Sequence, residues 1–297
     1  MRIETNHLYS AITRFIETSS SKTIIGFSRS ILAAGVLLKL VFNHINFLIP
    51  SHKLQTLDLH SLKYRCNFFL IFNSSHLIEM RILAIIILAF IITGYFMKIT
   101  SLLHFWIAAS FFMLRPVSIG VDNIEMLLTL LLIPVCLFDE RKNHWHHPAA
   151  INKFNNLIQN IFLFFIKIQV AFIYYDSFHD KLFIKEWLNG TVIYYWFTHN
   201  FFGLHPSLIN VLEPVFKNIP VLLLLSWSTL VFEALLAIGF LLPSRYKLLL
   251  LKCGIIFHFS ILLIHGFTFL FFVMSGALFL YLYPAKKSFS LHIFNEQ

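Results

Sequence analysis

The chain alternates long apolar runs with short polar breaks. Several runs reach the roughly 18 to 20 residues that a helix needs to cross a hydrocarbon core about 30 Å thick. The runs are continuously apolar and do not alternate, which excludes a transmembrane β-barrel. The pattern therefore predicts an all-α, polytopic transmembrane helix bundle, and seven to nine spans are compatible with it. The eight predicted spans lie at about 24–48, 80–97, 100–116, 119–138, 156–176, 219–242, 247–265 and 267–283.

Composition supports a membrane protein. Hydrophobic residues make up 58% of the chain, charged residues only 12%, and the mean hydropathy is +0.76. A soluble domain carries about 25% charged residues. The net charge of +9 is scattered along the chain, so it indicates attraction to membrane lipid and orientation in the bilayer, and it predicts no nucleic-acid partner.

The loop charges predict an orientation. Each predicted inner loop carries Lys or Arg when the N-terminus is cytoplasmic, and an even number of spans returns the C-terminus to the same side. Residues 1–23 then form a cytoplasmic amphipathic N-terminus, residues 24–284 the transmembrane bundle, and residues 285–297 a short cytoplasmic tail. The first span is expected to act as an uncleaved anchor.

The predicted outer region, 177–218, contains an unusual aromatic stretch. IYYWFTHNFFG, which ends at Gly203, is too short to span a membrane. Its aromatic residues are typical of a membrane–water interface. We expect an interfacial or re-entrant element near 190–203, which can act as a lid over a cavity between helices.

Ionisable residues within the spans are expensive in lipid, and each is a candidate functional residue. Arg115 and Asp122 either form an ion pair that pins two helices or contact substrate directly. Arg29 and Lys39 are expected to extend their charged ends to the two interfaces. The full set is Arg29, Lys39, Arg115, Asp122, Glu125, Glu233, His258 and His265.

Glu233 stands near the middle of an otherwise apolar run, LLLLSWSTLVFEALLAIGF. A carboxylate there needs a cation, a hydroxyl partner or a raised pKa. Pairing with a residue such as Arg29 would make Glu233 structural, whereas carrying a proton would make it functional. The sequence leaves both open.

The histidine-rich segment HWHHP, at 144–148, raises the question of a metal site. His144 and His147 can share a helical face, with Asp139 nearby as a carboxylate. Adjacent ligands beside basic residues are a weak metal signal, so we favour interfacial anchoring by Trp145 and predict no metal. HExxH, GxSxG, Walker-type and dinucleotide-binding patterns are absent, which leaves hydrolase, ATPase and nucleotide-cofactor functions without support.

Two groups of motifs point to a family. One is a Gln and a Tyr on a late helix, then Lys, a spacer, Trp and Gly-Thr; the other is Arg-Pro, Gly-x-Asp, a long helix, Phe-Asp-x-Arg and His-Trp. The pattern resembles the HTTM domain shared with vitamin K-dependent γ-carboxylases. Within it, the likeness is to the sporulation-delaying protein B family, bacterial cell-membrane proteins required to mature a secreted peptide toxin. The matching residues are Arg115, Gly120, Asp122, Asp139, Arg141, His144, Trp145, Gln169, Tyr174, Lys181, Trp187, Gly190 and Thr191.

The resemblance implies a role for Lys181. In the γ-carboxylases a lysine in the matching segment is the base that deprotonates vitamin K hydroquinone, so a membrane quinone is the implied cofactor. A lysine acts as a base near neutral pH only when burial or a nearby cation lowers its pKa. His179 and Lys185, under an aromatic cover of Tyr194, Tyr195 and Trp196, can supply that environment.

The candidate site follows from these residues. Lys181, Glu186 and His179 are the candidate catalytic residues. The alternative is that Lys181 pairs with a neighbouring acid and only orders the loop; the acids in reach are Asp176, Asp180 and Glu186. A polar cluster for substrate binding or structure is predicted from Arg115, Asp122, Gln169, Tyr174, Trp187 and Glu233.

Three functions remain open at this point. The favoured one is a membrane factor that matures or exports a secreted, toxin-like peptide from an outward-facing cavity. The second is a quinone-dependent, carboxylase-like enzyme, and the third is a proton-coupled transporter using Glu233, His258 and Arg115. Carboxylases of the animal type carry a large lumenal region after the membrane domain, whereas thirteen residues follow residue 284 here. A soluble or membrane partner protein from the same operon is therefore expected.

Overall fold

The computed structural model describes residues 22–50, 54–55, 61–114, 120–146 and 152–284. Eight helices of 15 residues or more dominate this part of the chain. We number the helices in chain order as α1 (Lys22–Phe42), α2 (Ile45–Leu48), α3 (Leu62–Arg65), α4 (Leu77–Thr93), α5 (Met97–Leu114), α6 (Val121–Leu137), α7 (Lys153–Leu182), α8 (Lys185–Leu188), α9 (Thr191–Phe197), α10 (Pro206–Phe216), α11 (Ile219–Ala237), α12 (Ser244–His265) and α13 (Thr268–Leu282). Short 3-10 turns at Ser74–His76 and Gly239–Leu241 complete the helical elements of this part.

The predicted all-α membrane helix bundle is confirmed. Six helices are long and apolar enough to cross a membrane, namely α1, α4, α5, α7, α11 and α12. The other two long helices coincide with predicted spans but are shorter, with 17 residues in α6 and 15 in α13. In the residues described, extended pairing is confined to a single bridge between Tyr95 and Asn143.

The outer surface of the bundle is apolar. Helix α4 exposes one face of large hydrophobic side chains, formed by Ile78, Ile82, Ile86 and Phe90. Helix α12 does the same with Leu249, Ile256 and Leu263. Residues three and four apart share a helical face, so these are continuous apolar stripes. Such surfaces suit contact with lipid chains and would be unfavourable in water.

The helices pack closely where residues are small. A Cβ atom on Gly35 of α1 would lie 2.8 Å from Phe272 Cβ of α13, and one on Gly276 would lie 2.8 Å from Leu32 Cγ. Small residues at such positions let transmembrane helices approach, which gives them more van der Waals contact. This interface places α1 and α13 in the interior of the bundle.

The bundle has two ends that we name by residues. At the His144 end, the loop after α6 meets the turn between α4 and α5, where the His144 N–H donates to Gly94 O at 3.1 Å. At the Lys39 end, α1 finishes, α6 begins, and the turn between α12 and α13 lies beside them.

Helix α7 stops partway along α11, and the chain then folds back beside it. Lys181, in the last turn of α7, meets Glu233, which lies 14 residues, or about 21 Å, from the first residue of α11. The first half of α11 is instead lined by α8 and α9. Ser226 Oγ of α11 donates to Trp187 O at 2.5 Å, and Trp227 Nε1 donates to Leu188 O at 3.2 Å. Val192 and Ile193 of α9 pack with Leu222 of α11, so this part of the element predicted near 190–203 lies against a helix of spanning length.

Candidate functional site

Lys181 and Glu233 form a largely buried ion pair between α7 and α11. Lys181 Nζ lies 2.8 Å from each carboxylate oxygen of Glu233. It also donates to Ser177 Oγ at 2.5 Å, and Ser177 Oγ donates to Glu233 Oε1 at 3.2 Å. The side chains are 18% exposed for Lys181 and 8% for Glu233. We refer to Ser177, Lys181, Trp187 and Glu233 as the Lys181 cluster.

The local fold brings Trp187 over the lysine. Ser177 and Lys181 are one turn apart and share a face of α7. The chain leaves α7 at Phe183, whose N–H donates to Asp180 O and Lys181 O. The short helix α8 then places the Trp187 ring 5.1 Å from Lys181 Nζ, within cation–π distance. A carboxylate, a hydroxyl and an aromatic face are all good partners for an ammonium group.

Gly190 allows the chain to turn back against α11. It has a φ of +83°, and a Cβ atom there would lie 2.6 Å from Leu223 N. Glycine adopts this left-handed conformation at little cost, and it has no side chain to obstruct the contact. Thr191 then begins α9, with its N–H donating to Asn189 Oδ1 at 3.0 Å. The Gly-Thr motif thus fixes the position of the segment that carries Trp187.

A second polar pair adjoins the cluster. Tyr174 OH and His258 Nε2 are 2.9 Å apart, and both residues are buried, with 2% and 5% of their surface exposed. Tyr174 is one turn before Ser177 on the same face of α7. It lies close enough to Glu233, and His258 close enough to Lys181, for electrostatic interaction. Polar side chains from α7, α11 and α12 therefore meet at one place.

Three of the predicted site residues on α7 and α8 lie outside this place. Gln169 is half-buried, about 140° around α7 from Tyr174. His179 is half-exposed and, two residues from Lys181, points to a different side of the helix. Glu186 is exposed on α8. Of the predicted residues, the structure brings together Lys181, Tyr174, Trp187 and Glu233.

Lys181 has different neighbours in the structure from those predicted. The alternative prediction of a loop-ordering pair with Asp176, Asp180 or Glu186 is wrong, because the carboxylate that Lys181 meets in the part of the chain described is that of Glu233. The predicted aromatic cover is also wrong. Trp187 covers the amine, whereas the ring of Tyr194 packs against Phe216 and that of Trp196 against His265. Glu233 in turn pairs with Lys181 and not with Arg29.

Asp122 pairs with Lys39 at the Lys39 end of the bundle. Lys39 Nζ lies 2.6 Å from Asp122 Oδ1, with the rings of Phe111 and Phe269 at 4.3 and 4.5 Å. The side chains are 14% and 16% exposed, so an ion pair holds the charge of Lys39 at this end of the bundle, and its reach to an interface stays a prediction. The pair lines a cavity of about 780 Å³. Arg115, the predicted partner of Asp122, lies outside the described residues.

Arg29 is also inside the bundle. Only 1% of its surface is exposed, and its Nη2 donates to Thr100 Oγ1 on α5 at 2.5 Å. The expectation that its charge reaches an interface is therefore wrong. It faces the His144 end, where Cys136 and Asp139 lie within electrostatic range.

The Phe-Asp-x-Arg and His-Trp motifs build that end of the bundle. Arg141 Nη2 lies 2.7 Å from Asp139 Oδ2, and its Nη1 donates to His144 O at 2.7 Å. His144 packs where Cβ atoms on Gly26 or Gly94 would come within 2.7 Å of it. Burial, assisted by Arg29 and Arg141, lowers the pKa of His144 to about 3. His144 is thus a neutral packing residue.

The described part of the histidine-rich segment forms no metal centre. Within the described residues, no group of three or more His, Cys, Asp or Glu side chains is placed to hold a metal ion. His147 of the HWHHP segment lies outside those residues. The carboxylate of Asp139 accepts three hydrogen bonds from the guanidinium group of Arg141.

Sequence reasoning missed Ser177 and the partners within the cluster. Lys181 and Glu233 are 52 residues apart, so no local spacing connects them. The signal that could have found this pair is the need of a buried acidic residue for a cationic partner. Glu233 is the acidic residue of α11, and a carboxylate in an apolar span requires a cationic or hydrogen-bonding partner.

These features define a class: a polytopic helical membrane protein whose bundle encloses a lysine–glutamate pair and an adjoining tyrosine–histidine pair. The chain is 30% identical to sporulation-delaying protein SdpB of Bacillus subtilis (strain 168) over 279 residues, covering 89% of this chain and 82% of the relative. It is 27% identical to the uncharacterized protein YitO of the same strain over 282 residues, covering 93% and 90%. The chain therefore belongs to the SdpB family.

Two other comparisons returned nothing. No family model matches the chain. No solved structure matches it.

Proposed function

We propose that this protein is an integral membrane factor required for maturation or export of a secreted, toxin-like antimicrobial peptide. The observation that carries the proposal is membership in the SdpB family over nearly the full chain. It is supported by the motif resemblance to bacterial membrane proteins that mature a peptide toxin. Its partners are the secreted peptide and a soluble or membrane protein from the same operon.

The Lys181 cluster is the proposed site of action. It joins three helices, and the chain that covers it, from Trp187 to Gly190, matches the family motif. We place this face on the outside of the bacterial cell membrane, with both termini cytoplasmic. The support is the distribution of Lys and Arg among the predicted loops.

Mass spectrometry of the secreted peptide tests this proposal. Cells would express the neighbouring genes with the wild-type protein, a deletion, Lys181→Ala or Lys185→Ala. Lys185 is exposed four residues from Lys181 and is the matched control. We expect the mature mass to be lost in the deletion and in Lys181→Ala and kept in Lys185→Ala. Identical peptide with and without the protein would overturn the proposal.

A second candidate is a quinone-dependent, carboxylase-like HTTM enzyme with Lys181 as its base. The observation that favours it is the enclosed amine beside a carboxylate acceptor and a buried tyrosine–histidine pair. For Lys181 to act, its ammonium would pass a proton to Glu233. The free amine could then accept a proton from the hydroxyl that a bound hydroquinone would supply. Trp187 and the Tyr174–His258 pair would hold such a ring.

Lys181→Arg separates the two candidates. Arginine keeps the positive charge beside Glu233 but is not deprotonated in proteins. If Lys181 is a base, the Arg variant is folded but yields immature peptide. If only the charge is needed, the Arg variant yields mature peptide, and the enzyme candidate is wrong.

A further inference from the structure

A second set of buried polar residues runs through the bundle along α1, α5 and α6. Three contacts connect it: Arg29 with Thr100, His104 Nε2 with Glu125 Oε1 at 3.1 Å, and Lys39 with Asp122 at 2.6 Å. Successive contacts are one helical turn apart on α5 or α6. We call this set the polar column; from the His144 end to the Lys39 end it comprises His144, Arg29, Thr100, His104, Glu125, Asp122 and Lys39.

The polar column concentrates the unsatisfied hydrogen-bonding groups of the described residues. Among the described residues, eight buried side-chain atoms lack a hydrogen-bond partner. Five of the eight belong to the polar column: Arg29 Nη1, His104 Nε2, both Glu125 carboxylate oxygens and His144 Nδ1. Native proteins satisfy nearly all buried polar groups with protein or bound water. A run of such atoms inside an apolar bundle therefore points to a site for a proton and the water that carries it.

The His104–Glu125 pair is the centre of the column. Its side chains are 2% and 1% exposed, and the 3.1 Å contact does not have hydrogen-bond geometry. A fully charged pair without supporting hydrogen bonds is costly to bury. One proton held between the imidazole and the carboxyl removes that cost.

The surroundings of the pair differ toward the two ends of the bundle. Asp122 lies one turn from Glu125 on α6, and with Lys39 it lines the cavity of about 780 Å³. Toward the other end, Thr100 leads from His104 to the guanidinium of Arg29. That fixed positive charge opposes the passage of a proton. Charged or titratable groups on the helices around α5 and α6 include Glu79 and Arg81 of α4, with Arg81 bound to Leu40 O and Val41 O. They also include Lys167, Tyr174 and Lys181 of α7, and Tyr281 of α13.

We propose that His104 and Glu125 form a buried proton-binding site that exchanges its proton with the Lys39 cavity through Asp122. The ligand is a proton, carried in by water. The site is separate from the Lys181 cluster and goes beyond peptide maturation. It couples the charge state of the α5–α6 interface to the acidity on the side of the membrane that the cavity faces.

Infrared difference spectroscopy of the full chain in lipid nanodiscs tests the site. Between acidic and alkaline buffer, we expect the carbonyl band of a carboxylic acid in an apolar environment to disappear as Glu125 loses its proton. Glu125→Gln should abolish that band. Glu79→Gln, at an exposed residue of α4, should keep it, and so should Glu233→Gln, which separates this site from the Lys181 cluster. A band that persists in Glu125→Gln overturns the proposal.

Two further variants keep the test decisive if Glu125→Gln fails to fold. His104→Gln leaves Glu125 in place and should shift the midpoint of the band's titration; an unshifted midpoint contradicts proton sharing. Asp122→Asn should slow proton exchange several-fold after a pH jump while leaving the band present. An unchanged rate contradicts the route through the cavity.

Discussion

Removing Lys181 while keeping Glu233 tests the energetics of the central ion pair. In Lys181→Met, the carboxylate of Glu233, 8% exposed, would keep Ser177 as its hydrogen-bond donor within the Lys181 cluster. Breaking a buried pair by removing one partner costs about 3–5 kcal/mol. Because Lys181 is 18% exposed, we expect the lower end, about 3 kcal/mol. At about 2–4 °C per kcal/mol, the melting temperature should fall by roughly 6–12 °C.

A double variant shows whether that loss belongs to the pair. Lys181→Met with Glu233→Gln removes both charges, and the glutamine amide can still accept from Ser177. Replacing both members of a buried pair is often nearly neutral. We expect the double variant to recover to within about 1 kcal/mol of the wild type, which corresponds to a coupling energy of at least about 2 kcal/mol.

Thermal unfolding in detergent measures these differences. Lys185→Met is the control, since Lys185 is exposed and should leave the melting temperature unchanged. If the double variant is as unstable as Lys181→Met, or if Lys181→Met matches the wild type, the pair does not stabilise the α7–α11 contact and the reasoning is refuted.

Two other predictions concern the loop after α6 and the turn before α9. His144 has a pKa of about 3 in the folded protein against about 6.5 unfolded, so its stabilising contribution is present above pH 6.5 and is lost on acidification. The loss of stability is about 2 kcal/mol by pH 5. His144→Asn should therefore flatten the melting temperature as a function of pH below 6.5. A slope equal to that of the wild type contradicts this prediction. Gly190→Ala should lower the melting temperature more than Gly266→Ala. Both glycines have a positive φ, but a Cβ atom on Gly190 would meet Leu223, whereas one on Gly266 would meet no atom within 4 Å. Equal losses in melting temperature would contradict the close approach at Gly190.

The helices could be predicted from sequence because a span must be apolar along its whole length and satisfy its own backbone. Each long helix therefore appears as an apolar run, as in α4 and α11. Helix ends were less accurate. The first predicted span continued to residue 48, whereas α1 ends at Phe42 and a separate turn, α2, follows after His44 caps it.

The partners of the charged residues could not be predicted in the same way. Hydropathy shows that Arg29, Lys39 and Glu233 need partners, but the choice depends on which helices are neighbours and how far each is shifted along its axis. Local proximity suggested nearby acids for Lys181. The fold instead pairs it with Glu233, 52 positions away, and it pairs Asp122 with Lys39, 83 positions away.

The most direct test of the central claim is the mass of the secreted peptide from cells expressing the Lys181→Met/Glu233→Gln variant. This variant is expected to be folded, so its phenotype reports on the chemistry of the site and not on stability. If the Lys181 cluster is the site of peptide maturation, the peptide will be unprocessed or retained although the variant reaches wild-type levels in the membrane. Normal mature peptide from this variant would show that the cluster serves the fold alone.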